Sequence, residues 1–325
     1  MATDTARAFW ILEPGTGAIR TETLSPPEPG EVVVETMYSG ISRGTETLVF
    51  AGRVPPSQYQ AMRAPFQSGE FPGPVKYGYI SVGRIVEGPA SRIGERVFCL
   101  YPHQDRYRLP EAAAIPLPSG LPAERAILAA NMETAVNALW DARPLAGDRI
   151  AVIGGGVLGM LTAWLCRQVP GTEVTLVDIN AAKGTVAAAL GLGFQADAGG
   201  LEGCDLVIHA SGQPAGLVDA LRVAGREGTI LELSWYGDRA VPLPLGEDFH
   251  ARRLVLRSTQ VGQIPAHRQP RWDYRRRMDL ALRLLCDGVL DILVTGESRF
   301  EELPEALAAL AHAPGAALCH RIRYP

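Results

Sequence analysis

Nothing in the 325-residue chain suggests a disulfide framework: its five cysteines, Cys99, Cys166, Cys204, Cys286 and Cys319, are odd in number and widely spaced. That pattern fits reduced thiols and a cytoplasmic setting better than a secreted scaffold. An apolar leader is missing as well. Met1–Ala2–Thr3–Asp4 brings an acid early and no hydrophobic segment, so no secretory signal is expected. Basic charge is in short supply, with 31 Lys and Arg against 35 Asp and Glu. A general nucleic-acid binder would show a basic domain or stripe, so no nucleic-acid partner is expected. The uncharged run Ile150–Cys166 has 17 residues, at the low edge of a membrane span, and Gly154–Gly155–Gly156 interrupts it. No membrane span is expected. The chain has no internal repeat and no low-complexity segment.

What is present points to a folded two-domain chain. Hydrophobic residues make up 47% and charged residues 20%, enough to bury a core. Up to about residue 122 the chain reads as short strands split by Pro and Gly, such as Glu31–Glu35, Ile80–Val86 and Arg96–Leu100. From Leu121–Pro122 the character changes. A helical stretch Ala123–Ala142 is followed by strands at 149–153, 174–177, 205–209, 229–233 and 254–257. Helices at 157–169, 181–190 and 214–224 alternate with them. Strict alternation predicts a parallel sheet covered on both faces, an α/β doubly wound fold. Two amphipathic helices, Arg276–Cys286 and Leu303–His312, and a strand Ala317–Ile322 close the chain. The expected division is 1–122, completed by 268–325, and 123–267. The run Arg275–Arg276–Arg277 reads as a solvated helix start.

The strongest local signal is Gly154–Gly155–Gly156–Val157–Leu158–Gly159, placed between an apolar strand and an apolar helix. A lone GxGxxG is weak; this context is what a dinucleotide fingerprint requires. Gly154 would permit the tight turn, Gly156 a close approach of a diphosphate to backbone, and Gly159 close helix–strand packing. The diphosphate would sit over the free N–H groups at Val157 and Leu158, at the positive end of the helix. Asp178 ends the next apolar strand, 24 positions after Gly154. A carboxylate there accepts hydrogen bonds from both ribose hydroxyls and repels a 2′-phosphate, so NAD is the expected cofactor. Lys183 is the residue that could upset that preference, and Asp178 as a plain helix cap is the alternative. Ile179, next to Asp178, and the later strand ends Ser211 and Ser234 are further candidates for the same crevice.

Several stretches together resemble the medium-chain dehydrogenase/reductase superfamily. They are Pro29–Val34, Ser39–Gly40–Ile41–Ser42, Gly94–Glu95–Arg96–Val97, the glycine turn with Asp178, and Phe300–Ala306. Ser42–Arg43–Gly44–Thr45–Glu46 is similar to the bacteriochlorophyllide a dehydrogenase branch. The resemblance covers nearly the whole chain. It implies a GroES-like β-barrel domain, a Rossmann nucleotide-binding domain, oxidoreductase activity on a small molecule, and a homodimer paired through the Leu254–Arg257 strand.

The departures concern metal. Ser42 or Arg43 stands where zinc members carry Cys, Tyr79 replaces their His, Ile80 replaces their Glu, and only one frame offers Glu133 at the third position. The four-cysteine structural loop is missing. A zinc site is therefore not expected, Cys99 with His103 being the leftover set. The candidates for moving a proton are hydroxyls. By resemblance Thr45 bonds the substrate oxygen, or it caps a short helix after Gly44. Tyr79 donates to a carbonyl or only fills the vacated volume; as a base it would need a cation such as Arg43 or Lys76. Thr134 lies against the nicotinamide by resemblance, or bonds its own helix. Glu46 is a supporting carboxylate or exposed, and His103 and His250 read as structural or surface residues. The leading expectation is a zinc-independent NAD(H) oxidoreductase of an alcohol/carbonyl couple. Reduction of an activated C=C bond and a non-catalytic dinucleotide sensor are the alternatives.

Overall fold

The computed structural model describes residues 4–313, 315 and 317–325; the residues Met1–Thr3 of the sequence's N-terminal reading lie outside them. The chain divides into two compact units, one of Met1–Ala130 with Leu282–Pro325 and one of Asn131–Ala281. Among the described residues no helix is long and apolar enough to cross a membrane.

The first unit opens with β1 (Asp4–Glu13), β2 (Thr16–Leu24) and β3 (Glu31–Ile41), then helix α1 (Arg43–Phe50). Short strands follow: β4 (Ser68–Gly69), β5 (Val75–Lys76), β6 (Ser81–Glu87), β7 (Arg96–Cys99), β8 (Arg106–Pro110) and β9 (Ile115–Pro116), then helix α2 (Ala123–Ala126). The second unit runs through α3 (Ala129–Ala142), β10 (Arg149–Ile153), α4 (Val157–Arg167), β11 (Glu173–Val177) and α5 (Lys183–Ala189). It continues with β12 (Gly193–Gln195), β13 (Cys204–His209), α6 (Pro214–Val223), β14 (Ala224–Glu232), β15 (Val255–Ser258) and α7 (Tyr274–Leu284). Three elements return to the first unit: β16 (Val294–Arg299), α8 (Leu303–His312) and β17 (Cys319–Arg323).

In the first unit β3 is central. It pairs with β6, β8 and the returning β17, in a sheet ordered β16-β17-β3-β6-β7-β9. A second sheet runs β2-β1-β5-β4. Val32, Val34, Ile85, Val97, Tyr107 and Leu109 form one core cluster here, all essentially inaccessible. Val32, Val33 and Val34 are buried in succession along β3, as befits the central strand of this GroES-like β unit.

The second unit is a six-stranded sheet ordered β12-β11-β10-β13-β14-β15, parallel throughout. This is the doubly wound order, with the central strand β10 buried from Ile150 to Ile153. Apolar runs on β10, β11 and β13 are continuous rather than alternating because helices cover both faces of a parallel sheet.

Two readings change. The single helix over 123–142 is two, α2 and α3, broken at Ile127–Leu128. Both side chains at the break are fully buried. Successive residues on a continuous helix point about 100° apart, so the turn lets both reach the core. The expected solvated run holds for Arg275 and Arg276, but Arg277 is 2% exposed and ion-paired to Glu133. Strand β12 was not read from the sequence; its three residues carry too little periodicity to register.

Candidate active site

At the C-terminal end of β10 the backbone turns sharply. Gly154 has φ +112°, and a Cβ there would meet Ser211 N at 2.5 Å. Gly159, one turn into α4, lies so close to the turn that a Cβ would fall 1.9 Å from Gly154 O. Both positions are closed to any side chain. Gly156 is the N-cap of α4 and contributes no side-chain cap, so the first N–H groups of the helix, at Val157 and Leu158, have no partner of that kind. The bare helix start is a cradle for an anion.

Asp178 closes the other wall. Its Oδ2 accepts from Gly155 N at 2.7 Å and from Lys183 Nζ at 2.8 Å, and its Oδ1 accepts from Asn180 N at 2.8 Å. A carboxylate offers about four acceptor positions, so one remains, on Oδ1. A grip on two ribose hydroxyls, as expected from the sequence, would have to share these oxygens with the turn and Lys183. Lys183 is itself 7% exposed and carries its charge against Asp178. Ile179, beside it, is 94% exposed.

Ser211 and Ser234 prove to be parts of a network that the sequence reading missed. His209 and Glu232 end β13 and β14 and stand directly opposite each other in the parallel register. His209 is fully buried, with Nδ1 2.8 Å from Glu232 Oε2 and Nε2 2.6 Å from Ser211 Oγ. Tyr236 donates to Glu232 at 3.0 Å, and Ser234 N donates to it at 2.6 Å. Gly212 N donates to Ser234 Oγ at 3.0 Å, and Gln213 N to Ser211 Oγ at 3.1 Å. The His209 ring is thus held at both nitrogens, between Glu232 and Ser211. The signal available in the sequence was polar residues ending two adjacent apolar strands.

In the first unit, Ser42, Thr45 and Tyr79 come together. The Tyr79 phenol donates to Ser42 Oγ at 2.6 Å and is also hydrogen-bonded to the Thr45 side chain. Thr45 lies inside α1, which begins at Arg43, so it does not cap the helix. Glu46 reaches back instead, accepting from Ser42 N at 2.7 Å. Its other oxygen meets His103 Nε2 at 2.8 Å, while His103 Nδ1 meets Ser39 Oγ at 2.7 Å. Glu46 and His103 are 2% and 1% exposed. His103 is thus a buried partner of Glu46 rather than a lone histidine, and Glu46 is not exposed. Gly78 makes this possible: it has φ +124°, and a Cβ would press on the His103 ring at 2.9 Å.

Burial, and then the Glu46 charge, push the Tyr79 phenol up to about 12, against the moderating hydrogen bonds of Ser42 and Thr45. Lys76 does not lower it, being held by Glu22 at 2.7 Å and Gln104 at 2.8 Å. Tyr79 therefore keeps its proton at neutral pH.

These donors do not suit zinc. Ser42 and Tyr79 keep their protons and bond each other, whereas zinc takes thiolate, imidazole or carboxylate. Burial raises the Cys99 thiol to about 12, and both His103 nitrogens are engaged. Glu133 receives Arg277 Nε at 3.1 Å. Among the described residues there is no group of three or more His, Cys, Asp or Glu able to hold a metal ion. Thr134 lies on α3 in the second unit, Arg43 begins α1, and His250 is exposed.

No family model matches the chain. Curated relatives do. The 2-desacetyl-2-hydroxyethyl bacteriochlorophyllide A dehydrogenase of Cereibacter sphaeroides is 34% identical over 170 residues, 45% of this chain and 48% of that protein. Its Rhodobacter capsulatus counterpart is 30% identical over 257 residues, covering 72% and 74%. The match spans about half the length of the Cereibacter relative. Solved structures align over nearly the whole chain. One from Sinorhizobium meliloti, bound to NADP, has a TM-score of 0.79 at 18% identity and covers 98% and 99% of the two chains. An Escherichia coli alcohol dehydrogenase complexed with NADH has a TM-score of 0.77 at 16% identity, also covering 98% and 99%. With the β unit, the doubly wound unit and these relatives together, the chain belongs to the medium-chain dehydrogenase/reductase superfamily of zinc-type alcohol dehydrogenase-like proteins.

Proposed function

We propose that the chain is an NAD(H)-dependent, zinc-independent oxidoreductase of a small or medium organic alcohol/carbonyl couple. The observation that carries the reading is the hydroxyl cluster Tyr79–Ser42–Thr45, in which Tyr79 and Ser42 stand where the resemblance expects metal ligands and Thr45 where it expects the hydroxyl that bonds the substrate oxygen. A carbonyl undergoing reduction needs an electrophile and a proton. A phenol that keeps its proton supplies both without a Lewis acid.

The residues of the second unit fit a dinucleotide. The α4 start would take the diphosphate at Gly156, Val157 and Leu158, and Gly154 and Gly159 leave the space. Asp178 would take a ribose hydroxyl, Ile179 offers an apolar face, and Ser211 a hydroxyl. When bound, the nicotinamide gives or receives the hydride. NAD is the preferred form because Asp178 carries negative charge where a 2′-phosphate would lie, although Lys183 softens that rejection. Tyr79 holds the transferable proton at its phenol oxygen, and Ser42 and Thr45 orient it. Glu46 and His103 fix Ser42 from behind. Thr134 remains the candidate for the nicotinamide side, with Arg43 at the start of α1.

The names of the curated relatives, which refer to oxidation of hydroxyl-bearing substrates, favour the alcohol/carbonyl couple over reduction of an activated C=C bond. The β15 edge, with Val255 43% and Leu256 36% exposed, supports a homodimer paired along that strand. The test is an NAD(H)-linked panel of alcohols, ketones and enones on protein assayed for metal. Turnover that survives chelation and drops in Tyr79→Phe is expected. Turnover that tracks zinc content would remove the zinc-independent reading. Calorimetric binding of NADH without turnover on any member of the panel would favour a sensor.

A further inference from the structure

At the opposite end of the second unit's sheet, α3 ends, the chain enters β10, and α4 gives way to β11. A cavity of about 370 Å³ lies there between Trp140 and Arg143, Pro144, Val169, and the pair His267 and Arg268. The five residues of β10 separate it from the glycine turn, roughly 16 Å at about 3.3 Å per residue. It is therefore distinct from the cofactor crevice.

Three features define its chemistry. The lining is aromatic and aliphatic: Leu139, Trp140, Pro144 and Val169 face the cavity, and Trp272 packs on Trp140 with ring centroids 4.8 Å apart. Cationic charge is in excess. The Arg268 guanidinium lies over Trp140 at 4.8 Å and over Trp272 at 5.9 Å, and its Nε is buried with no hydrogen-bond partner. Neither Arg143 nor Arg268 makes an ion pair among the described residues, and Arg257 and Arg271 nearby make none either. The acid in reach, Asp141, already accepts from Thr259 Oγ1 at 2.6 Å and from Asn137 at 3.3 Å. Arg257 itself is turned to the Asp141 carbonyl at 3.1 Å. Finally, desolvation and then the charges of Arg143 and Arg268 lower the His267 imidazole from its ordinary value, and burial and then Arg271 lower Arg268. Desolvation is the larger cause of both shifts and the neighbouring cations add to it, with Asp141 opposing them at His267.

We propose that this cavity binds a planar organic anion, an aromatic carboxylate, with its ring against Trp140 and its carboxylate on Arg268 and Arg143. Apolar lining with a few convergent polar groups is the ordinary make-up of a small-molecule site. An anion here would supply the missing counter-charge to Arg268 and Arg143.

Tryptophan fluorescence of the intact protein titrated with benzoate tests this, since the Trp140 indole lines the cavity. Saturable quenching at constant ionic strength is expected, accompanied by a higher Tm. Arg143→Gln should weaken binding about tenfold or more, the usual loss for a hydrogen bond to a charged group. Arg268→Gln should do the same; because Arg268 also stacks on the indoles, Arg143→Gln is the decisive variant should Arg268→Gln fold poorly. Absence of saturation up to about 20 mM, or an unchanged affinity in Arg143→Gln, would overturn the proposal. Two further outcomes would as well: inorganic phosphate matching benzoate at equal concentration, which means a bare anion site, and loss of self-association in Arg143→Gln without benzoate binding, which means an interface between copies. None of these readouts depends on the redox activity.

Discussion

At the scale of single residues, the position of Tyr79 decides what the first unit can do. Its hydroxyl is 2.6 Å from Ser42 Oγ, and a buried carboxylate stands behind it. Tyr79→Phe keeps the ring volume and removes the proton, so kcat should drop about 10²–10⁴-fold, the range general-acid catalysis contributes. Steady-state kinetics check this, and a KM effect with an unchanged kcat would assign Tyr79 to binding. The sign of the pH effect follows from the raised phenol. A pKa of about 12 in the folded chain against about 10 unfolded means the folded state holds this proton longer. The associated stability is fully present below pH 10 and is lost as pH rises through 12. Urea midpoints measured from pH 9 to about 12 should fall, and fall less in Tyr79→Phe. The Glu46–His103 pair is a second residue-scale commitment. Removing His103 leaves a carboxylate buried without its partner, so His103→Ala should cost about 3–5 kcal/mol by denaturant unfolding.

Among the elements, the glycines set how closely helices approach strand ends. Gly216 lies on α6, and a Cβ there would meet Ser211 Oγ at 2.6 Å and His209 Nε2 at 2.8 Å. Helix propensity alone favours Gly216→Ala by about 0.5–1 kcal/mol. Overpacking costs about 1–3 kcal/mol, and the two atoms it would displace are held in a hydrogen bond within the crevice wall. Packing should win, so Gly216→Ala is expected to lower Tm despite its better propensity; a raised Tm would show that the Ser211–His209 contact is soft. The same logic is stronger at Gly159, where the contact would be with backbone.

For the molecule as a whole, the proposed preference for NAD would depend on Lys183 and Asp178 acting as a pair. Both of the chain's lysines, Lys76 and Lys183, are buried in ion pairs, whereas its surface cations are arginines. Lys183→Ala leaves Asp178 with its charge unshielded and should widen the preference for NADH over NADPH. Thermal shifts report this directly: ligand at a hundred times its Kd stabilises the fold by about 2.7 kcal/mol. A wild-type Tm raised more by NADPH than by NADH would reverse the assignment.

Local pattern was enough for the doubly wound unit. The apolar runs at 149–153 and 174–177, the glycine turn and Asp178 depend on neighbours in the chain, where spacing along the sequence is also spacing in space. The substitution of Tyr79 and Ser42 for metal ligands was legible for the same reason, as a difference in residue type. Their contact was not, nor was that of Glu46 with His103, 57 positions apart, or of His209 with Glu232, 23 apart. Strand register sets such meetings, and register is decided by the whole sheet. Whether a histidine is a lone surface residue or a buried partner, and how many acceptor positions Asp178 has left, depends on groups brought together only when the chain closes. Tertiary structure alone decided those points, because hydrogen bonds and desolvation act over a few ångströms while sequence records only order.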